Sequence, residues 1–201
     1  MTPPLAPGLF DVPPGMVATV VTHLEMTQRP PLRDVAADVP NVVLVPEIGV
    51  ADYRDIYARV GAHNWLWFSR MQMSDTDLAA ILDDSDMRVA TMLVEGRPEA
   101  LLELDFRQQG ACELAFFGVS SRLLGKGAGR ALMNEAIRLA WDRPIRRFHV
   151  HTCTLDHPGA LSFYRRSGFT PIRQQIEIAP DPRLAGVLPT EAGPHIPIFD
   201  P

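Results

Sequence analysis

Two cysteines, Cys112 and Cys153, are all that the 201 residues contain. So few exclude a disulfide framework and fit an intracellular protein with reduced thiols. No apolar run approaches the roughly 18 residues of a membrane-spanning helix. The first residues are proline-rich, with neither a basic start nor an apolar stretch, so a signal peptide is not expected and the cytoplasm is. Positive charge is scarce as well: 19 Lys and Arg stand against 24 Asp and Glu, a net charge of −5. That balance argues against a nucleic-acid binder, whose footprint is a basic stripe. What is abundant is apolar side chain, 46% of the chain. One domain of this size buries a sizeable core without metal or disulfide.

Proline is plentiful but unevenly placed, with 11 of 19 in residues 1–14 and 180–201. The expected division is an irregular tail over 1–15, a folded domain over 16–179 and a Pro-rich tail over 180–201. Leu9, Phe10, Ile196, Ile198 and Phe199 leave two options open for the tails, draping over the domain or meeting a partner. A homodimer is among those options.

Between the tails the pattern alternates sharply. Val17 to Thr27 is rich in β-branched residues and reads as a strand, stopped at Arg29-Pro30-Pro31. A short apolar run over Asn41 to Val45 ends at Pro46. Val50, Tyr53, Ile56, Tyr57 and Val60 keep helical spacing, with Gly61 as the expected stop. Ser74 caps a second helix that ends near Asp84, with acids in its first turn. Met87–Val94, Glu99–Arg107 and Ala111–Val119 then follow as three strands joined by short turns, an antiparallel meander. Leu132, Met133, Ala136, Ile137, Leu139 and Ala140 form one face of a helix that reaches Trp141. Arg147–Thr152 is a strand free to lie parallel to the one before the helix. A helix from Pro158 to Ser167, capped by Gly168, and a strand over Phe169–Ala179 complete the domain. The fold class is α/β with a mixed, mostly antiparallel central sheet flanked by helices.

The meander runs into a glycine loop, Leu124-Gly125-Lys126-Gly127-Ala128-Gly129-Arg130, at the start of the long helix. Glycines let backbone amides approach a ligand, and a helix start leaves amides unpaired with the positive dipole end outward. With Arg122, Lys126 and Arg130 and no acid from Gly118 to Met133, this is an anion site. A triphosphatase loop would need Ser or Thr after the lysine, and here Gly127 follows Lys126. A dinucleotide fingerprint would want glycine at position 130 and an early parallel βαβ unit. Neither fits.

The run V-S-S-R-L-L-G-K-G-A-G-R-A-L resembles the acetyl-CoA signature of the GNAT superfamily of N-acetyltransferases, with its core pattern [RQ]-x-x-G-x-[GA]. Ala160 to Phe169 resembles the family's later A-x-x-x-Y-x-x-x-G-F motif, and the order of elements matches over about 16–179. The resemblance implies a GNAT-like sheet, acetyl-CoA as acyl donor and direct transfer to an amine acceptor, with no nucleic acid or membrane involved. It implies that Phe117, Gly118 and Val119 pair with the pantetheine arm. The loop over 124–130 would hold the pyrophosphate, Leu124 through its backbone amide.

The same resemblance makes Tyr164 the acid for the leaving thiolate, since a phenol of pKa near 10 stays protonated at neutral pH. It makes Glu113 the base, with a pKa expected to be raised by desolvation. Trp65, Trp67 and Phe68 fall where such proteins build the acceptor pocket. Apart from the resemblance, His149, His151 and Cys153 alternate along one strand and face one side. They admit two further readings, a metal site and a Cys–His nucleophile pair. A catalytically silent CoA-binding regulator is the remaining alternative to an enzyme.

Overall fold

The computed structural model describes residues 6–200. In chain order the elements are β1 (Met16–Met26), β2 (Val42–Leu44), α1 (Val50–Tyr57), a π-helical turn (Ala58–Ala62), α2 (His63–Trp65), α3 (Ser69–Gln72) and α4 (Asp75–Leu82). The second half holds β3 (Met87–Val94), β4 (Arg97–Pro98), β5 (Ala100–Asp105), β6 (Ala111–Val119), α5 (Ala128–Trp141), β7 (Arg147–Cys153), α6 (Ala160–Arg166) and β8 (Thr170–Pro180). The strands form one sheet in the order β2-β3-β5-β6-β7-β1-β8, with β4 a short annex to β3. Every pairing is antiparallel except β6 with β7, which the α5 crossover makes parallel. The mixed, mostly antiparallel α/β architecture read from the sequence is the one that forms.

Both sheet faces are covered in the half built from β3, β5 and β6. On one face α5 sets Leu132, Met133, Ala136, Ile137 and Ala140 against Leu102, Leu104, Leu114, Phe148 and Val150. On the other, α1 and α4 set Tyr53, Ile56, Tyr57, Leu78 and Leu82 against Val89 and Leu101. The alternation of β5 put Leu101, Glu103 and Asp105 on one side of the strand, and α1 and α3 cover that side. Glu103 is therefore fully buried, bonded by the Tyr53 hydroxyl and the Arg70 guanidinium. A buried carboxylate is tolerable only when its charge and lone pairs are matched in this way.

The expected helix stop at Gly61 does not occur. The chain passes through the π-helical turn into α2 and ends at Leu66, whose φ of 52° is left-handed. Gly61 serves close approach instead, because a Cβ there would lie 1.9 Å from the Trp67 ring. The C-terminal tail drapes. Leu188 and Ala192 are buried in the α1/α4 core, and the Gly193 amide donates to the His63 carbonyl at 2.9 Å. Arg183, paired with Asp181 at 2.7 Å, donates to the carbonyls of Ala192 (3.1 Å) and Ile196 (2.8 Å) and so gathers the tail around itself. Leu9, Phe10 and Phe199 remain exposed. Among the described residues no helix is long and apolar enough to cross a membrane.

Candidate active site

β6 and β7 pair over three positions only, from Ala111↔Arg147 to Glu113↔His149. Beyond them β6 bulges: Glu103 faces Phe116 while Leu104 faces Leu114, leaving Ala115 as the extra residue. A bulge bends its strand and ends pairing locally. Glycine within a strand often marks a bulge, but here the bulge falls at Ala115 and not at Gly118; Gly118 instead makes room for the π-helical turn, a Cβ there lying 2.5 Å from Val60. Between the parted strands opens a cavity of about 530 Å³. The Ser120 amide donates to Glu99 on the β5 side at 2.8 Å. By strand alternation Phe117 and Val119 turn their backbone groups the other way, into the gap.

One end of the cavity meets the glycine loop. Gly125 and Gly127 hold φ of 75° and 80°, and α5 begins with no acid in its first turn. The amides of Leu124, Gly125, Gly127, Ala128 and Gly129 have no protein acceptor among the described residues. Leu124 and Gly129 line the cavity, while Lys126 and Arg130 are exposed beside it. Arg122, counted with the loop's charges in the sequence, turns away to Glu95 at 2.6 Å. In its place comes Arg33, whose segment Asn134 of α5 holds by two hydrogen bonds to the Arg33 backbone (3.1 and 2.7 Å). Desolvation, then the nearby charges of Arg130 and Arg166, push the Arg33 pKa down. Three mutually repelling guanidiniums beside five free amides fit the phosphates of CoA, and the open β6 edge fits its amide-bearing arm. Arg33 lies in a proline-rich linker far from the loop in sequence, where no local signal marks it.

Deeper in, Tyr164 of α6 is only 7% exposed, and its hydroxyl has no hydrogen-bond partner among the described residues. Tyr164 is nevertheless a wall of the cavity, next to Phe117 and Phe163. Burial, and then the Asp156 charge, raise its pKa, so it stays a proton donor. Glu113 stands at the last rung of the parallel ladder, 3.4 Å from Nδ1 of His151. Its pKa is lowered, chiefly by the bond to His151, against the rise expected from desolvation. Burial does oppose ionisation there, but the imidazole outweighs it. His151 in turn is raised, chiefly by Glu113.

Trp65, Trp67 and Phe68 all line the cavity. The Trp67 indole donates to Asp156 at 2.9 Å, and Asp156 also accepts from Thr152 (2.6 Å) and the Cys153 amide (3.0 Å). The Trp65 ring sits between His157 and His195 of the tail, at 5.1 and 5.3 Å. Among the described residues none of the tail lines the cavity, and the tail buttresses its wall. Glu177 of β8 lines it too, with no ion pair or hydrogen bond among the described residues. His149, His151 and Cys153 share a face as the alternation required, yet no group of three or more His, Cys, Asp or Glu converges for a metal among the described residues. Burial raises the Cys153 thiol, which makes it a poor nucleophile.

The sheet is thus parted between its two parallel strands, with free amides at the helix start that follows the first of them. The family profile for acetyltransferases (GNAT) matches residues 52–169. The chain belongs to that family. Among solved structures it is similar to a conserved protein of unknown function from Staphylococcus epidermidis (17% identity, TM-score 0.59, covering 83% of this chain and 63% of that one). It is similar also to a GCN5-related N-acetyltransferase from Kribbella flavida (19%, TM-score 0.56, 86% and 63%). A third likeness is to the PaiA N-acetyltransferase from Thermoplasma acidophilum, solved in complex with coenzyme A (16%, TM-score 0.51, 65% and 90%). The chain thus spans 63% of the length of each of the first two. No curated protein matches the sequence.

Proposed function

We propose that this domain transfers an acetyl group from acetyl-CoA directly to a primary amine, on a small molecule or a protein side chain. The observation that carries the reading is the Tyr164 phenol, enclosed, unpartnered and facing the gap between β6 and β7. Acetyl-CoA supplies an activated thioester. The free amides of Leu124, Gly125, Gly127, Ala128 and Gly129, with Arg33, Arg130 and Arg166, hold the phosphates, and Phe117 and Val119 pair with the arm. Tyr164 donates its proton to the leaving sulfur, and Glu113 supplies the charge that favours proton removal from the amine. The acceptor end suits a cation, since Glu177 lies there uncompensated and Asp156 and Glu113 stand near His151.

A thiol-release assay with acetyl-CoA over amines, amino acids, aminoglycosides and peptides tests the reading. Release that depends on a particular amine supports it. Tight acetyl-CoA binding by calorimetry, with no release across the panel, would instead leave a CoA-binding regulator.

A further inference from the structure

We propose that His151 is the residue that takes the proton from the acceptor amine, with Glu113 as the residue that positions it. This rests on the acyl-transfer reading above and assigns its base. Glu113 does not line the cavity between the strands; it opens on a separate shallow depression with Asp105, Arg107, Gln108 and His149. His151 does line the cavity, two residues beyond the last β6–β7 pair, where the strands have begun to part. Its Nδ1 lies 3.4 Å from Glu113 Oε1. The tautomer with hydrogen on Nδ1 is the one that suits a neighbouring carboxylate, and it leaves Nε2 a free lone pair. No protein group bonds that nitrogen among the described residues, while the neighbouring His23 spends its own Nε2 on Gln175 at 2.8 Å.

The groups around the imidazole come from four sides. Glu113 faces it from β6, His23 from β1 with ring centroids 5.8 Å apart, and Glu177 from β8. Asp156 approaches from the loop after β7, His149 and Cys153 flank it on its own strand, and Arg173 of β8 sits behind His23. Carboxylates outnumber cations in this ring, so an imidazolium formed during reaction is stabilised where it forms. In the transfer, the lone pair of the neutral amine makes the N–C bond as the C–S pair leaves on sulfur. Sulfur takes the Tyr164 proton and His151 takes the amine proton. One proton passing through solvent from imidazolium to phenolate restores both groups, and amide plus free thiol are the products.

The test compares pH profiles of kcat/KM for wild type, His151→Asn and Glu113→Gln with one amine found in the screen, so that the amine's own titration is common to all. Acetyl-CoA affinity is measured separately by calorimetry. His151→Asn is expected to lose at least about 100-fold on the alkaline plateau, and to lose the part of the acidic limb that is not the amine's own titration. Glu113→Gln is expected to stay within about tenfold on the alkaline plateau and to move the limb to lower pH, since it removes the charge that raises His151. Imidazole added to His151→Ala is expected to restore activity at least about tenfold, and to do nothing for Glu113→Ala, a pattern that a purely structural histidine would not produce. The reverse pattern, with Glu113→Gln silent and His151→Asn active, overturns the assignment and returns the base to Glu113. Wild type that binds acetyl-CoA but acetylates no amine fails the parent reading instead.

Discussion

The Tyr164 side chain is largely buried, yet its hydroxyl has no hydrogen-bond partner among the described residues and the residue lines the cavity. Removing the Tyr164 hydroxyl takes away the proposed proton donor without touching the glycine loop. Tyr164→Phe is therefore expected to lower kcat by about 10²–10⁴-fold, with the calorimetric Kd for acetyl-CoA unchanged. The Glu113–His151 pair has its own signature in stability. Glu113 titrates below its ordinary 4.5 in the folded chain, so its contribution is complete above that value and is lost as pH falls through the folded pKa. His151 titrates above its ordinary 6.5, so its contribution is complete below that value and is lost as pH rises through the folded pKa. The two overlap between 4.5 and 6.5. The Tm difference between wild type and Glu113→Gln should peak near pH ~5.5 and shrink toward pH ~8.5, and it should be small because both groups are partly solvated.

At the scale of elements, two features hold the cavity open. The π-helical turn brings Val60 and Trp67 over Gly118, and Gly61 is the vacancy into which the Trp67 ring fits. Turns of this kind interrupt helices mostly at functional positions. Gly61→Ala must displace that ring, which is also tied to Asp156. A loss of about 1–3 kcal/mol in denaturant unfolding is expected, with a raised KM for the amine. Beneath the turn, Glu103 joins β5 to α1 and α3 through Tyr53 and Arg70, and Arg70 in turn lies 5.1 Å over the Phe116 ring. Glu103→Ala leaves a guanidinium buried and unpaired. Unfolding measurements should register a loss of about 3–5 kcal/mol.

The whole molecule is acidic yet gathers Arg33, Arg130 and Arg166 around one loop, so positive charge is concentrated at that end of the cavity. Acetyl-CoA at 100 times its Kd should add about 2.7 kcal/mol to folded stability, read as a rise in Tm. The C-terminal tail closes the molecule on the opposite side, through Leu188, Ala192 and the Arg183 hub. A chain ending at Pro180 removes the His195 contact on Trp65 and uncovers Leu66. It should melt lower and raise the KM for the amine far more than that for acetyl-CoA, as steady-state kinetics would record.

Local rules were enough for much of this protein. Strand alternation, the Ser74 cap, the left-handed Gly168 (φ 104°) and the glycine loop are set within a few residues, so the elements and the loop could be read directly from the sequence. The free amides of the loop follow from its glycines and from being a helix start. Other features of the cavity depended on contacts between residues remote in sequence. Arg33 reaches the loop through Asn134, and Glu113 meets His151 because β6 and β7 lie parallel for three rungs and then part. Glu103 is buried because helices cover the sheet face that its alternation leaves polar. Gly61 looked like a helix stop because its missing Cβ serves a ring six residues away, not a turn. A pKa set by such a neighbour has no signature in the strand that carries the residue. The sequence by itself determined the strands, the helices and the glycine loop at the start of α5; the strand gap, the paired Glu113 and His151 and the buttressed tryptophan wall were decided only by tertiary packing, because each is a contact between elements.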